Sequence, residues 1–140
     1  MSPSKGILFA PIAAYIHKLC FDNSWSEKEF EKLLSLPSSR LWINKDSLLL
    51  CSEVMDEMEI LTICVLPEKR RQHIAQKLLD DLFKYAQKQK VRQIFLEVAE
   101  DNFPAQKLYF QSGFIQTGMR ENYYTKGNLR LNALCLTKKI

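Results

Sequence analysis

One stretch of the sequence sets the order of secondary structure on both sides of it. It reads ICVLPEKRRQHIA and covers residues 63–75. An apolar run ends at Pro67, a basic turn follows, and from Ile74 onward apolar residues recur at the spacing of an amphipathic helix. This pattern predicts a strand, a turn and a helix N-terminus, where free backbone N–H groups and the helix dipole attract anions. Arg70 and Arg71 add charge suited to a pyrophosphate, although any turn between a strand and a helix needs polar residues.

Upstream of this turn, the sequence predicts two helices followed by three strands. Residues 12–20 carry apolar side chains at helical spacing, which indicates the first helix. Ser24 and Ser26 each begin a capping box for a second helix, which we expect to continue through Leu34. A turn is expected at Asp56-Glu57. Patterns typical of strands cover 41–43, 47–54 and 59–66.

Downstream, after the helix that begins at Ile74, the sequence predicts a strand, a short helix and a hairpin. These elements cover 91–98, 105–111, 115–124 and 129–136. Gly113 is placed to cap the short helix, and Lys126-Gly127-Asn128 suits the turn of the hairpin. The order is therefore ααβββαβαββ, give or take an N-terminal strand. This order predicts an α/β or α+β fold with a mixed central sheet flanked by helices.

Length and composition are typical of one globular domain, which we expect to span residues 1–140. Hydrophobic residues make up 46% of the chain and charged residues 26%. The longest apolar stretches, such as 60–66, are far too short to span a bilayer, so no membrane association is expected. No clear cleavage site follows the N-terminal residues, and we expect no signal peptide.

The charges of the chain are divided unevenly. Residues 1–66 hold 6 Lys/Arg and 9 Asp/Glu, a net −3, whereas residues 67–140 hold 14 and 7, a net +7. A basic C-terminal half suits a polyanionic ligand, although a solvated helix surface explains most of these charges. The basic residues form no dense stripe with interleaved aromatic residues, which argues against nucleic acid as a partner.

The four cysteines do not form a metal-binding pattern. Cys20, Cys51, Cys64 and Cys135 fit no zinc spacing, and the chain has only two histidines to complete one. Cysteines within apolar runs behave as small hydrophobic residues. We therefore expect reduced thiols, no metal and a cytoplasmic protein.

The basic turn resembles motif A of the GNAT family of N-acetyltransferases. The motif reads Arg or Gln, two residues, Gly, one residue, then Gly or Ala. Arg70 matches the first position and Ala75 the last, whereas His73 stands where the family has Gly. Glycine lets a backbone approach a pyrophosphate closely. A helical His73 can still offer its backbone N–H if its side chain points away, at some cost in cofactor affinity.

A longer resemblance covers most of the chain, roughly residues 22–136. It rests on Trp25-Ser26-Glu27-Lys28, Phe30, Leu96-Glu97-Val98, Asn102, Ala105, Leu108-Tyr109, Gly113-Phe114, Gly118, Arg120 and Tyr123-Tyr124. These residues are similar to the RimI branch of the GNAT family, bacterial N-terminal alanine acetyltransferases that act on a small-subunit ribosomal protein. The resemblance implies a GNAT-type mixed sheet, acetyl-CoA as co-substrate and a protein N-terminus, of a ribosomal protein, as acceptor.

The resemblance also implies a role for each matching residue. Glu97 falls on the general base and Tyr109 on the general acid. The family has an Arg just after Leu-Glu-Val, and here Ala99 follows instead, so that Arg is missing or moved. The resemblance also implies cofactor-binding positions on the strand that holds the thioester, in the pyrophosphate turn and at one Asn. They are Ile63, Cys64, Val65, Arg70, Arg71, Gln72, His73, Ile74, Ala75, Gln76 and Asn102.

These roles suit the attack of a neutral amine on a thioester. We expect Glu97 to end a strand buried on both faces, where desolvation makes a carboxylate a better proton acceptor. A strand N–H near Cys64 or Val65 can stabilise the oxyanion, and Tyr109 can protonate the leaving thiolate. The ordinary alternatives are a solvated Glu97 and a core Tyr109. For Cys64 a structural role is preferred to a nucleophilic one, because no His lies near it in the sequence.

Proton energetics favour an N-terminal acceptor. At pH 7 the neutral amine costs about 1 kcal/mol for an α-amino group and about 4.6 kcal/mol for a Lys side chain. The resemblance places a peptide groove between the first helices and the late hairpin, with Trp25, Tyr123 and Tyr124 as candidate lining. Acidic side chains that can attract the basic tail of an acceptor protein are Glu27, Glu29 and Glu57. Ordinary core or surface roles fit these three residues and the three candidate groove residues equally well.

Two other functions remain open at this point. The chain can be a GNAT enzyme that acetylates a small amine, an antibiotic or an aminoacyl-tRNA. Alternatively, it can be a degenerate domain that binds acyl-CoA or a partner without turnover, an alternative that His73 keeps open. The presence of both Glu97 and Tyr109 argues against the degenerate domain.

Overall fold

A mixed sheet of six strands forms the centre of the molecule. The computed structural model describes residues 1–4 and 6–140. The strands are β1 (Ser39–Ile43), β2 (Ser47–Val54), β3 (Glu57–Val65), β4 (Gln93–Ala99), β5 (Ile115–Lys126) and β6 (Leu129–Lys139). They lie in the order β1-β2-β3-β4-β6-β5; β3 and β4 pair in parallel, and the other neighbours pair antiparallel.

Helices cover both faces of this sheet. They are α1 (Ala10–Cys20), α2 (Glu27–Leu34), α3 (Ile74–Lys88) and α4 (Phe103–Gln111), with short 3₁₀ turns at Ile7–Phe9 and Pro67–Lys69. The predicted order of two helices, three strands, a helix, a strand, a helix and two strands is confirmed. That residues 1–140 form one domain stays a prediction.

Two apolar clusters define the two faces of the sheet. On one face, which we call the α3 face, residues of α3 and α4 pack against Trp42, Ile94 and Leu96. On the other, the α1 face, residues of α1 and α2 pack against strands β1–β3 at Leu41 and Leu48. Since side chains alternate along a strand, the residues of β4 between those of the α3 face point toward the α1 face.

The ends of several elements depend on local chemistry. Ser26, rather than Ser24, caps α2, and its hydroxyl accepts a hydrogen bond from the Glu29 N–H at 3.1 Å. The turn predicted at Asp56-Glu57 falls one residue earlier, because Glu57 already belongs to β3. Gly113 follows α4 at a φ of +98°, a conformation that favours glycine, so its predicted capping role is confirmed.

Strands β3 and β4 pair only over a short length. Their parallel register joins Glu57 to Gln93, Met58 to Ile94 and Glu59 to Phe95. In the described part of the chain the pairing goes no further, although both strands continue toward their carboxyl ends. The two strands therefore diverge, and β3 from Leu61 to Val65 keeps an open edge beside β4.

Candidate active site

The open edge of β3 carries the three strand residues expected to hold a thioester. Ile63, Cys64 and Val65 pair on their other side with Leu49, Leu48 and Ser47 of β2. An unpaired strand edge offers backbone N–H and C=O groups to an extended ligand. The Val65 carbonyl is already engaged, since it accepts from Arg70 Nε at 3.0 Å and from the Cys20 thiol at 3.4 Å.

The turn between β3 and α3 has an unusual backbone. Arg71 and His73 both adopt positive φ, 62° and 60°. His73 is the residue before the first turn of α3 rather than a helical residue, which corrects the expectation of a helical His73. The position where the family has Gly is therefore one that demands the left-handed conformation. His73 meets this demand at a conformational cost of roughly 1–2 kcal/mol relative to Gly.

The other residues of the turn divide into exposed and half-buried groups. Arg71 and Gln72 are exposed, as is Arg70, whose side chain reaches back to β3. The first residues of α3, Ile74 and Ala75, are half-buried. Their backbone N–H groups belong to the helix N-terminus, which has no acidic residue in its first turn. The turn thus keeps the positive potential that the sequence predicted.

Two residues expected to contact a cofactor have structural partners. Gln76 Nε2 donates to Asp80 at 3.0 Å, and Gln76 Oε1 accepts from the Ser112 hydroxyl at 3.0 Å. Asn102 caps α4 by accepting from the Ala105 N–H at 3.3 Å. Each side chain therefore has a structural role in addition to the cofactor contact that the resemblance implies.

Glu97 lies on β4 and points toward the α1 face. Its side chain is 23% exposed, and its Oε1 accepts from Arg120 Nη1 at 2.8 Å. The expectation that this strand is buried on both faces was wrong, because its α1 face is half-exposed at Phe95, Glu97 and Ala99. Within the described residues, Oε2 of Glu97 is buried and has no hydrogen-bond partner. Such an atom is costly to leave unsatisfied, and it can receive a proton or a hydrogen bond from a ligand.

Arg120 is a functional candidate to which the sequence analysis assigned no role. The strand register brings it to Glu97, since Glu97 faces Cys135 of β6 and Arg120 of β5 faces Ala133, two residues from Cys135 on the same strand. The hydrogen bond to Glu97 raises the pKa of Arg120, and its guanidinium lies 4.2 Å from the centre of the Tyr123 ring. A cation thus stands beside the carboxylate although Ala99 replaces the family's Arg.

A second carboxylate, Glu59, lies near the same pair. Burial raises the pKa of Glu59, the negative charge of Glu97 raises it further, and Arg120 lowers it. Glu59 faces Phe95 in the parallel register, so it shares the α1 face with Glu97 two residues along β4. In the sequence Glu59 is only one charge in an alternating strand, and no signal there pointed to the site.

Tyr109 lies on α4 in the apolar cluster of the α3 face. It is 6% exposed, and its ring packs edge-on against Phe114 at 5.7 Å. Burial raises the pKa of Tyr109, and Cys51, Tyr124 and Cys64 add to the shift. Tyr109 therefore stays protonated at neutral pH, as a proton donor must.

Tyr124 connects the surroundings of the two predicted catalytic residues. Burial raises the pKa of Tyr124, and the charge of Glu97 adds to it. The same phenol also contributes to the raised pKa of Tyr109. Tyr124 therefore interacts electrostatically with both Glu97 and Tyr109.

The surroundings of Cys64 argue for a structural role. Burial raises the pKa of its thiol well above the ordinary value, and the neighbouring Cys20 thiol adds to the shift. A nucleophilic cysteine needs the opposite shift, because the thiolate is the reactive species. All four cysteines are free thiols. Over residues 1–4 and 6–140, no group of three or more His, Cys, Asp or Glu side chains is arranged to hold a metal ion.

Comparison with known families identifies the class of this protein. Residues 13–114 match the model of the acetyltransferase (GNAT) family, which covers more than half of the chain. The chain belongs to the GNAT family and is an N-acetyltransferase.

Across the described residues, no helix combines the length and apolar character needed to cross a membrane.

The chain is also similar to individual acetyltransferases whose sequence or structure is known. The chain is 35% identical over 111 residues to a putative ribosomal protein bS18-alanine N-acetyltransferase of Bacillus subtilis, covering 75% of this chain and 74% of the relative. The crystal structure of the ribosomal-protein-S18-alanine N-acetyltransferase of Escherichia coli superposes with a TM-score of 0.91 at 27% identity, over 100% of this chain and 93% of that one. Arabidopsis thaliana NAA60, solved with acetyl-CoA, shares the fold with a TM-score of 0.82 at 17% identity, over 99% of this chain and 97% of that one.

Proposed function

We propose that this protein transfers an acetyl group from acetyl-CoA to the N-terminal α-amine of an alanine on a small-subunit ribosomal protein. The amine attacks the thioester directly, without an acyl-enzyme. The observation that carries the proposal is the buried Oε2 of Glu97, which has no hydrogen-bond partner among the described residues and belongs to a side chain on the half-exposed α1 face. Tyr124 interacts electrostatically with both Glu97 and the protonated Tyr109. The names of the Bacillus subtilis and Escherichia coli relatives support the acceptor.

The cofactor site proposed here has two parts. The open edge of β3 at Ile63, Cys64 and Val65 suits the extended pantetheine and thioester, because that edge lacks a strand partner among the described residues. The turn from Arg70 through Gln76 suits the pyrophosphate through the N-terminal backbone of α3 and two exposed arginines. Asn102 borders the same region at the start of α4 and keeps its amide N–H₂ for a contact while its oxygen caps the helix.

The chemistry assigned to the chain is proton transfer at two points. Glu97 Oε2 accepts a proton from the attacking amine, directly or through water, while Arg120 holds Oε1. Tyr109 donates a proton to the leaving thiolate, whose basicity is close to that of a Cys side chain, about pKa 8.5. An N–H on β3 near Cys64 or Val65 stabilises the oxyanion.

The electrostatics of the α1 face suit an amine that carries a positive charge on arrival. Glu59 and Glu97 together carry two negative charges against the single positive charge of Arg120. Glu27 and Glu29 on α2 are exposed and available to a basic tail. Glu57 is less suited to that task, since it accepts from Gln93 and lies 3.6 Å from Arg92.

One assay tests the proposal. The protein is incubated with acetyl-CoA and a peptide that begins with the N-terminal alanine of the ribosomal protein, and thiol release is followed. We expect acetylation of the α-amine, located by mass spectrometry, with little on a matched peptide whose N-terminus is blocked and whose Lys is free.

Other results would redirect or end the proposal. Activity on small amines but not on peptides would favour the small-amine enzyme. Binding of CoA without turnover, unchanged in Glu97→Gln, would mean a degenerate domain. A cytoplasmic location with reduced thiols and without nucleic acid as a partner remains part of the proposal.

A further inference from the structure

His17 has the most fully enclosed polar side chain of α1. It is 3% exposed, and three aromatic rings surround it. The imidazole stacks on Trp25 with ring centres 4.7 Å apart, and it also packs against Phe21 at 4.6 Å and Phe30 at 5.4 Å. No step of the proposed chemistry uses this residue.

Both nitrogens of His17 are engaged, and each joins a different part of the molecule. Nδ1 accepts from the backbone N–H of Trp25 at 3.0 Å, so Nδ1 carries no proton. The neutral ring therefore has its proton on Nε2, which donates to the Thr62 hydroxyl at 3.2 Å. Burial lowers the pKa of His17 to about 4, so this arrangement persists at neutral pH. One ring thus links the connection between α1 and α2 to strand β3.

The connection that His17 holds, residues 21–26, joins the two helices that cover the α1 face. Helices α1 and α2 pack on strands β1–β3, whereas Glu97 and Arg120 on β4 and β5 are 23% and 54% exposed on the same face. Thr62 lies on β3 directly before Ile63, where the pairing with β4 has already ended. His17 therefore ties residues 21–26 to the part of β3 whose edge is not paired with β4.

We propose that His17 is a positioning residue, which fixes the 21–26 loop on β3 as one wall of the acceptor site. The inference rests on the proposed function, because it needs the acceptor amine to approach Glu97 from the α1 face. The bond to the Trp25 N–H sets the position of the loop backbone. The bond to Thr62 and the three ring contacts anchor the imidazole itself.

Two near-isosteric variants separate the two bonds. In His17→Asn, the side-chain oxygen can reach the position of Nδ1 and accept from the Trp25 N–H, but no donor reaches Thr62. In His17→Gln, the amide N–H₂ can reach the position of Nε2 and donate to Thr62, but the Trp25 N–H loses its acceptor. Both variants lose the ring contacts, so the part of the stability loss that comes from those contacts does not distinguish them.

The readouts are steady-state kinetics with the alanine peptide and hydrogen exchange of the Trp25 amide. We expect His17→Gln to raise the KM for the peptide about tenfold relative to His17→Asn, as expected for an unsatisfied backbone donor. The KM for acetyl-CoA should differ between them by less than about twofold. The Trp25 amide should exchange slowly in wild type and His17→Asn and rapidly in His17→Gln.

Other outcomes overturn the inference. Equal peptide KM values in the two variants, or a Trp25 amide equally protected in both, would mean that His17 is an ordinary core residue. Thr62→Val serves as a second control; it should behave like His17→Asn, and a rise in peptide KM equal to that of His17→Gln would also overturn the proposal. If wild type does not acetylate the peptide, the proposed function fails, while the exchange of the Trp25 amide still decides whether His17 holds the loop.

Discussion

The turn that leads into α3 and the surface around Glu97 are built in different ways. In the turn, Arg70, Arg71 and His73 lie within four residues of one another, all exposed, and the backbone conformation is the main feature. Around Glu97, charged groups from three strands meet, and burial and charge pairing dominate. Substitutions that change the backbone conformation of the turn should therefore alter cofactor affinity. Substitutions of the side chains around Glu97 should instead alter the rate of the reaction.

The largest effect should come from removing the carboxylate of Glu97. Glu97→Gln keeps the shape and loses the proton acceptor, so we expect kcat to fall by roughly 10²- to 10⁴-fold. The affinity for acetyl-CoA, measured by calorimetry, should change by less than about twofold. An equal loss of cofactor affinity would break the separation between the two regions.

Next in size is the removal of the phenol of Tyr109. Tyr109→Phe keeps the packing against Phe114 and removes the proton donor, so kcat should fall by about 10- to 100-fold. Cofactor binding should change much less than turnover. If turnover and binding fell by the same factor, Tyr109 would be a binding or core residue rather than the general acid.

A smaller effect concerns stability on the α1 face. The folded-state pKa of His17, about 4, lies below its unfolded value of about 6.5, so acidification favours the unfolded state. This contribution is complete above about pH 6.5 and should be lost as the pH falls, by about 2 kcal/mol at pH 5. Chemical denaturation across this range checks it.

The stability contribution of Glu59 also depends on pH and needs a control. Glu59 has a raised pKa, so its contribution has the opposite sign and grows on acidification. The comparison should therefore be made against His17→Asn, which keeps the carboxylates and lacks the imidazole. Parallel pH profiles for wild type and variant would contradict the assignment.

The smallest effect on stability and cofactor affinity should come from substitutions in the turn that leads into α3. His73→Gly relieves the left-handed conformation, which should stabilise the fold by about 1 kcal/mol and tighten acetyl-CoA a few-fold. Arg71→Gly, at the other positive φ of the turn, is a matched variant that relieves strain but removes a charge. We expect its affinity for acetyl-CoA to fall. Unchanged affinity in His73→Gly would mean that the histidine is accommodated without cost.

Much of the fold could be predicted from the sequence because its signals are local. The start of α3 at Ile74 and the whole of β2 from Ser47 to Val54 lie where the periodicity of apolar residues placed them. The capping residues predicted the start of α2, leaving only the choice between Ser24 and Ser26 as the cap. Boundaries shifted where pairing, rather than residue type, decides where a strand starts, as at Glu57.

The candidate site could be predicted only in part. Glu97 and Tyr109 were found through their resemblance to a family, and their roles stay predictions. The partners of Glu97 were not found, because Glu59 and Arg120 are 38 and 23 residues away from it in the chain and only sheet pairing brings them near. The bond between Gln76 and Ser112, 36 residues apart, was missed for the same reason. The capping by Asn102 and the bond of Gln76 to Asp80 are local, and the sequence pattern did not single them out.

The sequence by itself determined the order of elements and the basic turn, since these depend on neighbours a few residues apart, and its resemblance to a family singled out the Glu and the Tyr. Only the tertiary structure decided three further features. The divergence of β3 and β4 opens a strand edge, the strand register pairs Arg120 with Glu97, and the burial of His17 joins the 21–26 loop to β3. Each depends on contacts between residues far apart in the chain, whose geometry local propensity does not specify.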